Sequence, residues 1–462
     1  MKFGGTSVGD AEAIRRTAAI LEQHHSGEPV VAVVSAMSGV TNLLLECGES
    51  AVVGDSEVVE TARALILTPH RRALTDLVPG GERRRQTGAS LGALVDEASR
   101  LLYSVYVLRE LSPRARDRLV SFGERMSSII VAAYLNELGV TAEPVDADRL
   151  IVTDEVFGNA SPNLDATRCK TKGVLCPLLD DGVLPIVTGF FGATSQGLTA
   201  TLGRGGSDFS ASILGNALDA SEVWIWTDVD GVMTADPRIV PGARTLDGIS
   251  YSEATELAYF GAKVIHPKTM YPAEEHDIPI RIKNTFAPDE PGTLISSQSD
   301  GDSSAKAIAS ISDLAVVTVE GRGLIDVSSV TARIFSAVAR TDANVYMISQ
   351  ASSQHSVSFV VNGEEREVVQ ETLAAEFRED LDHQRVLSIS SDRDVAIVAV
   401  VGAGMKGTPG VAGRVFATMG DERINIVAIA QGSSELNISF VIDGANVSAA
   451  VRALHVVFVA GS

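Results

Sequence analysis

Residues 1–15 read MKFGGTSVGDAEAIR. Two adjacent glycines weaken a helix or strand, but they serve well where backbone must turn tightly or lie flat against a ligand. The run from Gly9 to Gln23 has helical periodicity, so the stretch reads as strand end, glycine turn, helix start. That order is the repeating unit of an α/β fold. It aims backbone N–H groups and a positive helix end at whatever lies in front, which suits an anion. Lys2 adds a cation, so a phosphate site is one reading of the turn. A plain turn is the other, and the Gly-x-x-x-x-Gly-Lys-Ser/Thr spacing of a Walker A loop is absent.

The remainder of the first three hundred residues continues the pattern. PVVAVVSAM (29–37), GVLPIVTGFFGAT (182–194) and SEVWIWTDVDGV (221–232) are apolar, β-branched runs separated by helical segments. Each reads as one strand of a sheet covered on both faces. Residues 43–135 are mainly helical by period. Their arginine run at 83–85 reads as a solvated face.

Size and composition bound the rest. A chain of 462 residues exceeds what one compact core usually serves, so two to four domains are expected. Aromatics are only 5%, so Ala, Val, Ile and Leu must build the core. The formal net charge of −21 argues against nucleic acid as a partner. The absence of a long apolar run argues against a membrane span or a signal peptide. Cys47, Cys169 and Cys176 are too few and too scattered for a disulfide framework or a zinc site. A reducing cytoplasm is the expected compartment.

The second half carries a repeat. DANVYMISQASSQHSVSFVV (342–361) aligns without gaps with RINIVAIAQGSSELNISFVI (423–442), an offset of 81 residues. The alignment extends back to Glu320 and Val401. Each copy reads strand, helix, strand, strand, helix, most of a β-α-β-β-α-β module. VLSISSD (386–392) supplies the last strand of the first copy, whereas the second has none after its helix. KAIASIS (306–312) is then expected to complete the second module, with the first inserted inside it.

Several stretches carry chemistry. TLGRGGSDFSASILGNAL (201–218) repeats the logic of the N-terminal turn, with Gly203, Gly205 and Gly206 around Arg204, and Ser207 and Asp208 opening a helix. Arginine there grips a carboxylate with two prongs, while Asp208 is either a helix-end residue or an organiser of a lysine and metal. WTDVDGVMTADPR (226–238) places Thr227 and Asp228 at a strand end, where ligands meet open α/β sheets. YFGAKVIHP (259–267) carries Lys263 after a glycine turn. SFGERMS (121–127) is expected to put Glu124 at a helix start. SAMSGVTN (35–42) gathers Ser35, Ser38 and Thr41 at a strand end.

Taken together, KFGGTSVG, SAMSGVTN, SFGE, TLGRGGSDFSA, WTDVDGVMTADPR and FGAKVIHP resemble, in this order, the aspartate kinases of the amino-acid-kinase superfamily, and the repeat resembles their paired ACT regulatory modules. The resemblance implies a three-layer αβα sandwich around a mainly parallel sheet, followed by two ferredoxin-like βαββαβ modules. It implies a catalytic domain over 1–297, a linker over 298–305, a first ACT module over 314–391, and a second formed by 306–313 with 392–462. The implied reaction is ATP plus L-aspartate giving 4-phospho-L-aspartate and ADP, with Mg2+, at the head of lysine, threonine and methionine synthesis.

By the same resemblance, Lys2, Asp208 and Lys263 are the catalytic residues. Ser35, Thr41, Glu124, Arg204 and Ser207 hold aspartate, with Arg204 on its α-carboxylate and Glu124 on its ammonium. Lys2, Phe3, Gly4, Gly5, Thr227, Asp228, Met233, Arg238, Lys263 and Val264 meet the nucleotide; Met233 stands where a tyrosine is common. No metal-ligand set is named. Asn344, Gln350, Asn425 and Gln431 form the effector sites. The closest similarity is to threonine-sensitive members, so threonine is preferred to lysine, and a homo-oligomer through the ACT modules is expected. Only Met1 precedes Lys2, so the first strand is expected to be short or the chain start incomplete. No homoserine dehydrogenase half is expected after the modules. Other phosphotransferases of the superfamily, or a catalytically inactive amino-acid sensor, are the alternatives.

Overall fold

The computed structural model describes residues 1–261, 265–298, 305–321, 327–350 and 356–460. Its contacts divide them into two units. One holds residues 1–232, 247–251 and 265–298, the other residues 233–246, 252–261 and those from 305 onward.

The first unit is an α/β layer structure. In chain order its elements are β1 (Lys2–Phe3), α1 (Ala11–His25), β2 (Ala32–Val34), α2 (Val40–Val53), α3 (Ser56–Leu77), α4 (Glu82–Leu108), α5 (Pro113–Glu137), β3 (Ala142–Val145), β4 (Val152–Thr153), α6 (Leu164–Asp180), β5 (Leu184–Thr188), β6 (Phe191–Thr194), β7 (Thr199–Thr201), α7 (Gly206–Leu218) and β8 (Val223–Thr227). After these come β9 (Gly248–Ser250), α8 (Tyr251–Tyr259), α9 (Pro267–Glu274), β10 (Ile280–Asn284) and β11 (Thr293–Ser296). Most of α8 belongs to the second unit.

Eight strands form one sheet in the order β3-β5-β2-β1-β8-β10-β11-β9. All neighbours run parallel except β10 and β11. The two-residue β1 sits near the centre, its Phe3 paired with Val34 on one side and Trp226 on the other. Phe3 and Trp226 are fully buried and stacked, with ring centroids 5.9 Å apart. This apolar floor holds the glycine turn after β1 in place. The strand ends that follow β1, β2 and β8 therefore share one edge of the sheet, where a parallel sheet leaves room for a ligand.

One reading is corrected here. The run 182–194 is not a single strand. Phe190 takes a left-handed backbone (φ 75°), and β6 leaves β5 to join β4 and β7 in a separate three-stranded sheet. A side chain at Gly189 would come within 2.7 Å of Ser207 Cβ, so α7 packs directly on this corner.

The second unit contains β12 (Ala307–Gly321), α10 (Val327–Ala339), β13 (Met347–Gln350), β14 (Ser356–Asn362), α11 (Arg366–Glu376), α12 (Arg378–Asp382), β15 (Val386–Val401), α13 (Val411–Asp421), β16 (Ile426–Ala430), β17 (Asn437–Asp443) and α14 (Val447–His455). Its sheet order is β13-β14-β12-β15-β17-β16. The two long strands each serve two neighbourhoods. Ala307–Ile311 pair with Ile397–Val401, beside β17, whereas Leu314–Gly321 pair with β14 and the first half of β15. The repeat is visible in packing: Phe335 meets Phe359 at 5.7 Å, and Phe416 meets Phe440 at 6.1 Å, both edge to face. Both pairs sit inside separate apolar cores. No helix among the described residues is long and apolar enough to cross a membrane.

Candidate active site

A cleft of about 530 Å³ opens along the strand ends of the first unit. Ten of the residues to which the resemblance gives a role line it: Lys2, Gly4, Gly5, Ser35, Thr41, Glu124, Arg204, Ser207, Asp208 and Asp228. They come from β1 and the turn after it, the loop after β2 and the first turn of α2, the middle of α5, the start of α7 with the loop before it, and the end of β8.

Two helices begin at the cleft without a side-chain cap. The N-cap of α2 is Gly39 (φ 79°) and that of α7 is Gly205 (φ 68°). The left-handed backbone at both positions is one that glycine adopts without strain. First-turn N–H groups have no partner within their helix, so two positive helix ends border one cavity. This corrects the reading of the N-terminal stretch. The helix after the first glycine turn, α1, is capped by its own Asp10, whose Oδ1 accepts from Ala13 N at 2.8 Å. What the cleft receives from that stretch is the turn itself, Gly4 to Thr6. A Cβ at Gly5 would approach Ala36 O to 3.3 Å, so the turn lies tight against the loop after β2.

Lys2 is 8% exposed, and its ammonium lies 2.5 Å from Asp208 Oδ1. The contact is an ion pair of two largely buried side chains. Asp208 sits in the first turn of α7, where the helix end also favours a negative charge. Arg204 is exposed, projects from the loop between Gly203 and Gly205, and has no ion-pair partner among the described residues.

Glu124 was expected at a helix start; it lies instead in the middle of α5. It reaches the cleft because Gly123 brings the helix against the β2 loop: a Cβ there would lie 2.7 Å from Ala36 Cβ. Glu124 is 3% exposed. Its Oε1 accepts from Ala36 N at 3.2 Å, and its Oε2 is buried with no partner. Burial disfavours the charged form and pushes its pKa up to about 8. A cation arriving at Oε2 would restore the charge.

Asp117 lies two turns before Glu124 on the same face of α5, and sequence reasoning passed it over. It is 2% exposed and accepts from Gly158 N, Thr201 N and Thr201 Oγ1, each at 2.8 Å. It thereby fixes the strand that leads into the Arg204 loop. Ser38, Gly39, Asn42 and Phe190 also line the cleft. Ser38 is the third hydroxyl that the sequence gathers with Ser35 and Thr41; nothing in the local sequence marks Phe190.

Other expected residues lie elsewhere. Phe3 is fully buried as part of the apolar floor. Thr227 ends β8, and its Oγ1 donates to Asp228 at 3.2 Å. Met233 and Arg238 belong to the second unit, where Met233 Sδ accepts from Thr245 Oγ1 and Arg238 is clasped by Asp236. Lys263 and Val264 lie outside the described residues, as does most of the 298–305 linker. Asn344, Gln350, Asn425 and Gln431 are exposed, with Gln350 ending β13 and Gln431 following β16. Among the described residues no group of three or more His, Cys, Asp or Glu is placed to hold a metal. Asp208 and Asp228 are two carboxylates on one cleft, which fits a magnesium ion that takes its remaining ligands from phosphate and water.

Residues 1–284 match the model of the amino acid kinase family, and residues 317–377 and 398–458 match that of the ACT domain. Bifunctional aspartokinase/homoserine dehydrogenase 1 of Arabidopsis thaliana is 38% identical over 98% of this chain and 50% of its own length. Aspartokinase 3 of the same plant, also chloroplastic, is 35% identical over 99% of this chain and 81% of its own. The chain thus spans about half the length of the bifunctional relatives that it matches. Among solved structures, E. coli aspartokinase III in complex with lysine and aspartate superposes with a TM-score of 0.84 at 31% identity, covering 99% of this chain and 98% of that one. The same enzyme with aspartate and ADP gives 0.80 at 31%, covering 98% of each.

Proposed function

From a chain that belongs to the amino acid kinase family, and within it to the aspartokinases, we propose an enzyme that phosphorylates the β-carboxylate of L-aspartate with ATP. The observation that carries this reading is the meeting of Lys2, Glu124, Arg204 and Asp208 on one cleft between two uncapped helix ends. A free amino acid presents an α-carboxylate and an ammonium. Arg204 takes the first and the buried Glu124 takes the second, with Ser35, Thr41 and Ser207 adding neutral hydrogen bonds. The β-carboxylate is an ionised nucleophile at neutral pH, so no base is needed.

Its oxygen forms a bond to the γ-phosphorus of ATP as the bond from that phosphorus to the β,γ-bridging oxygen breaks, and the electron pair leaves with ADP. Such a transfer depends on positioning and on charge stabilisation more than on covalent help. Lys2, held by Asp208, and the N–H groups of the Gly4–Gly5 turn supply that stabilisation. Asp208 and Asp228 would hold a magnesium ion bound with the nucleotide, which would neutralise phosphate charge. Thr227 adds a hydroxyl to the nucleotide site, to which the resemblance also assigns Lys263, as a second cation, and Val264.

The second unit is read as two ACT modules, 314–391 inserted into 306–313 plus 392–462, which is supported by the pairing of Ala307–Ile311 with Ile397–Val401. They form the homo-oligomer contact and take an amino-acid effector, threonine before lysine, at Asn344, Gln350, Asn425 and Gln431. The side-chain amide of each glutamine both donates and accepts, which suits a carboxylate and an ammonium. A cytoplasmic enzyme of amino-acid synthesis is the corresponding setting.

The test is ADP release with aspartate, glutamate and N-acetylglutamate as acceptors, each with and without threonine and lysine. Turnover confined to aspartate and inhibited by threonine is expected. Turnover with N-acetylglutamate alone would remove the aspartate reading. Inhibition by lysine alone, or unchanged threonine inhibition in both Gln350→Ala and Gln431→Ala, would remove the threonine reading and leave the kinase.

A further inference from the structure

The arginine run at 83–85 divides by role once it is folded. Arg83 donates to Asn136 O at 2.9 Å and to Glu137 at 2.7 Å, and Arg85 pairs with Glu82 in its own helix. Arg84 has no carboxylate partner among the described residues. The neighbouring helix repeats the division: Arg63 of α3 pairs with Asp96 at 2.7 Å, whereas Arg71 has no carboxylate partner among the described residues. All of Arg63, Arg71, Arg84 and Arg85 line one cleft of about 720 Å³ between α3 and α4, where Asp96 and Glu82 compensate Arg63 and Arg85 and leave Arg71 and Arg84 as the uncompensated cations.

No acidic residue lines this cleft. In a chain of net charge −21, two unpaired arginines sharing a cavity make a local positive field. The cleft also borders the start of α4, whose N-cap, Gly81, provides no side-chain cap; the first-turn Glu82 is itself neutralised by Arg85, so the N–H groups of that turn add to the field. Its depth comes from Gly88 and Gly92, one helical turn apart, whose missing side chains leave room beside Leu67 and Leu74.

We propose that this cleft is a binding site for a small phosphorylated anion carrying at least two negative charges, separate from the phosphoryl-transfer cleft. Two guanidinium forks match the oxygens of a phosphate or diphosphate, and the apolar strip beside them accommodates an attached organic group. A free phosphate and the phosphate of a nucleotide present the same oxygens to Arg71 and Arg84.

The test is titration calorimetry of the full chain with pyrophosphate, inorganic phosphate and AMP. Three variants are compared: Arg71→Ala/Arg84→Ala, Arg114→Ala/Arg116→Ala and Lys2→Ala, with thermal melting to verify folding. Pyrophosphate is expected to bind wild type, to bind Lys2→Ala with the same affinity, and to bind Arg71→Ala/Arg84→Ala about tenfold or more weakly. The Arg114→Ala/Arg116→Ala variant removes the same number of charges from outside the cleft and is expected to keep the wild-type affinity. AMP binding more tightly than inorganic phosphate at this site assigns a nucleotide as its source, and the reverse order assigns free phosphate. Equal weakening in both arginine pairs would reduce the site to diffuse surface charge and overturn the proposal. So would loss of binding in Lys2→Ala alone, an outcome that leaves the kinase reading intact.

Discussion

Aspartate binding should release a proton, and Glu124 should be its source. The carboxyl is buried in α5, one oxygen unpartnered, with its pKa pushed up to about 8 by desolvation. At pH 7 a group of that pKa is ~0.9 protonated, by the ratio of ten to one that one pH unit gives. The substrate ammonium pairs only with the carboxylate, so binding draws off that proton. Deprotonation then costs about RT ln 11, or ~1.4 kcal/mol of the affinity at pH 7.

The sign follows directly. Affinity rises with pH below 8, because less of the free enzyme must give up a proton, and levels off above it while the ammonium stays charged. Affinity at pH 6 should be about ninefold weaker than at pH 7, the ratio of 101 to 11, and at pH 8 only about twofold weaker than at pH 9. Calorimetric titration with aspartate at saturating ADP, in phosphate and in Tris, separates the proton from the binding heat, since the two buffers differ in ionisation enthalpy. The difference should correspond to ~0.9 proton at pH 7 in wild type. It should vanish in Glu124→Gln, along with the pH dependence. A release below ~0.2 proton, or an undiminished release in Glu124→Gln, would refute Glu124 as the ammonium partner.

Lys2→Ala should lower kcat by ~10² to 10³ while leaving the melting temperature close to wild type, since it removes a charge placed for the transition state; near-normal kcat would exclude Lys2 from the chemistry. Asp117→Asn leaves up to three buried donors facing an amide, which should lower stability by about 1–3 kcal/mol and raise the KM for aspartate more than that for ATP. Equal changes in both KM values would make Asp117 a purely structural residue. Gly123→Ala forces α5 away from Ala36 at a cost of about 1–3 kcal/mol, and aspartate binding should weaken with it; wild-type kinetics would show that the close approach does not position Glu124.

The amino-acid order by itself determined the parts that depend on local chemistry and on pattern. Continuous apolar runs between helical periods specify buried parallel strands. A gapless offset specifies two modules with the same interior, and Phe335–Phe359 and Phe416–Phe440 meet in the same way. The glycines around Arg204 and the turn at Gly4–Gly5 marked two walls of the cleft because a bare, left-handed or tightly turned backbone is written in the residue type.

Tertiary structure alone decided what depends on close approach between distant segments. Glu124 is a midhelix residue whose place in the cleft comes from Gly123 fitting against Ala36, a contact between residues 87 apart in the chain. Asp117 gains its meaning from Gly158 and Thr201, neither of which its neighbours in sequence announce. The positive ends that face the cleft belong to α2 and α7, whereas α1, which the N-terminal stretch suggested, is closed by Asp10. The arginine run at 83–85 is uniform in sequence; carboxylates on other turns and other helices leave one of its three charges free. Periodicity records which face of an element is buried, while partner identity, desolvation and unbalanced charge arise only when those faces meet.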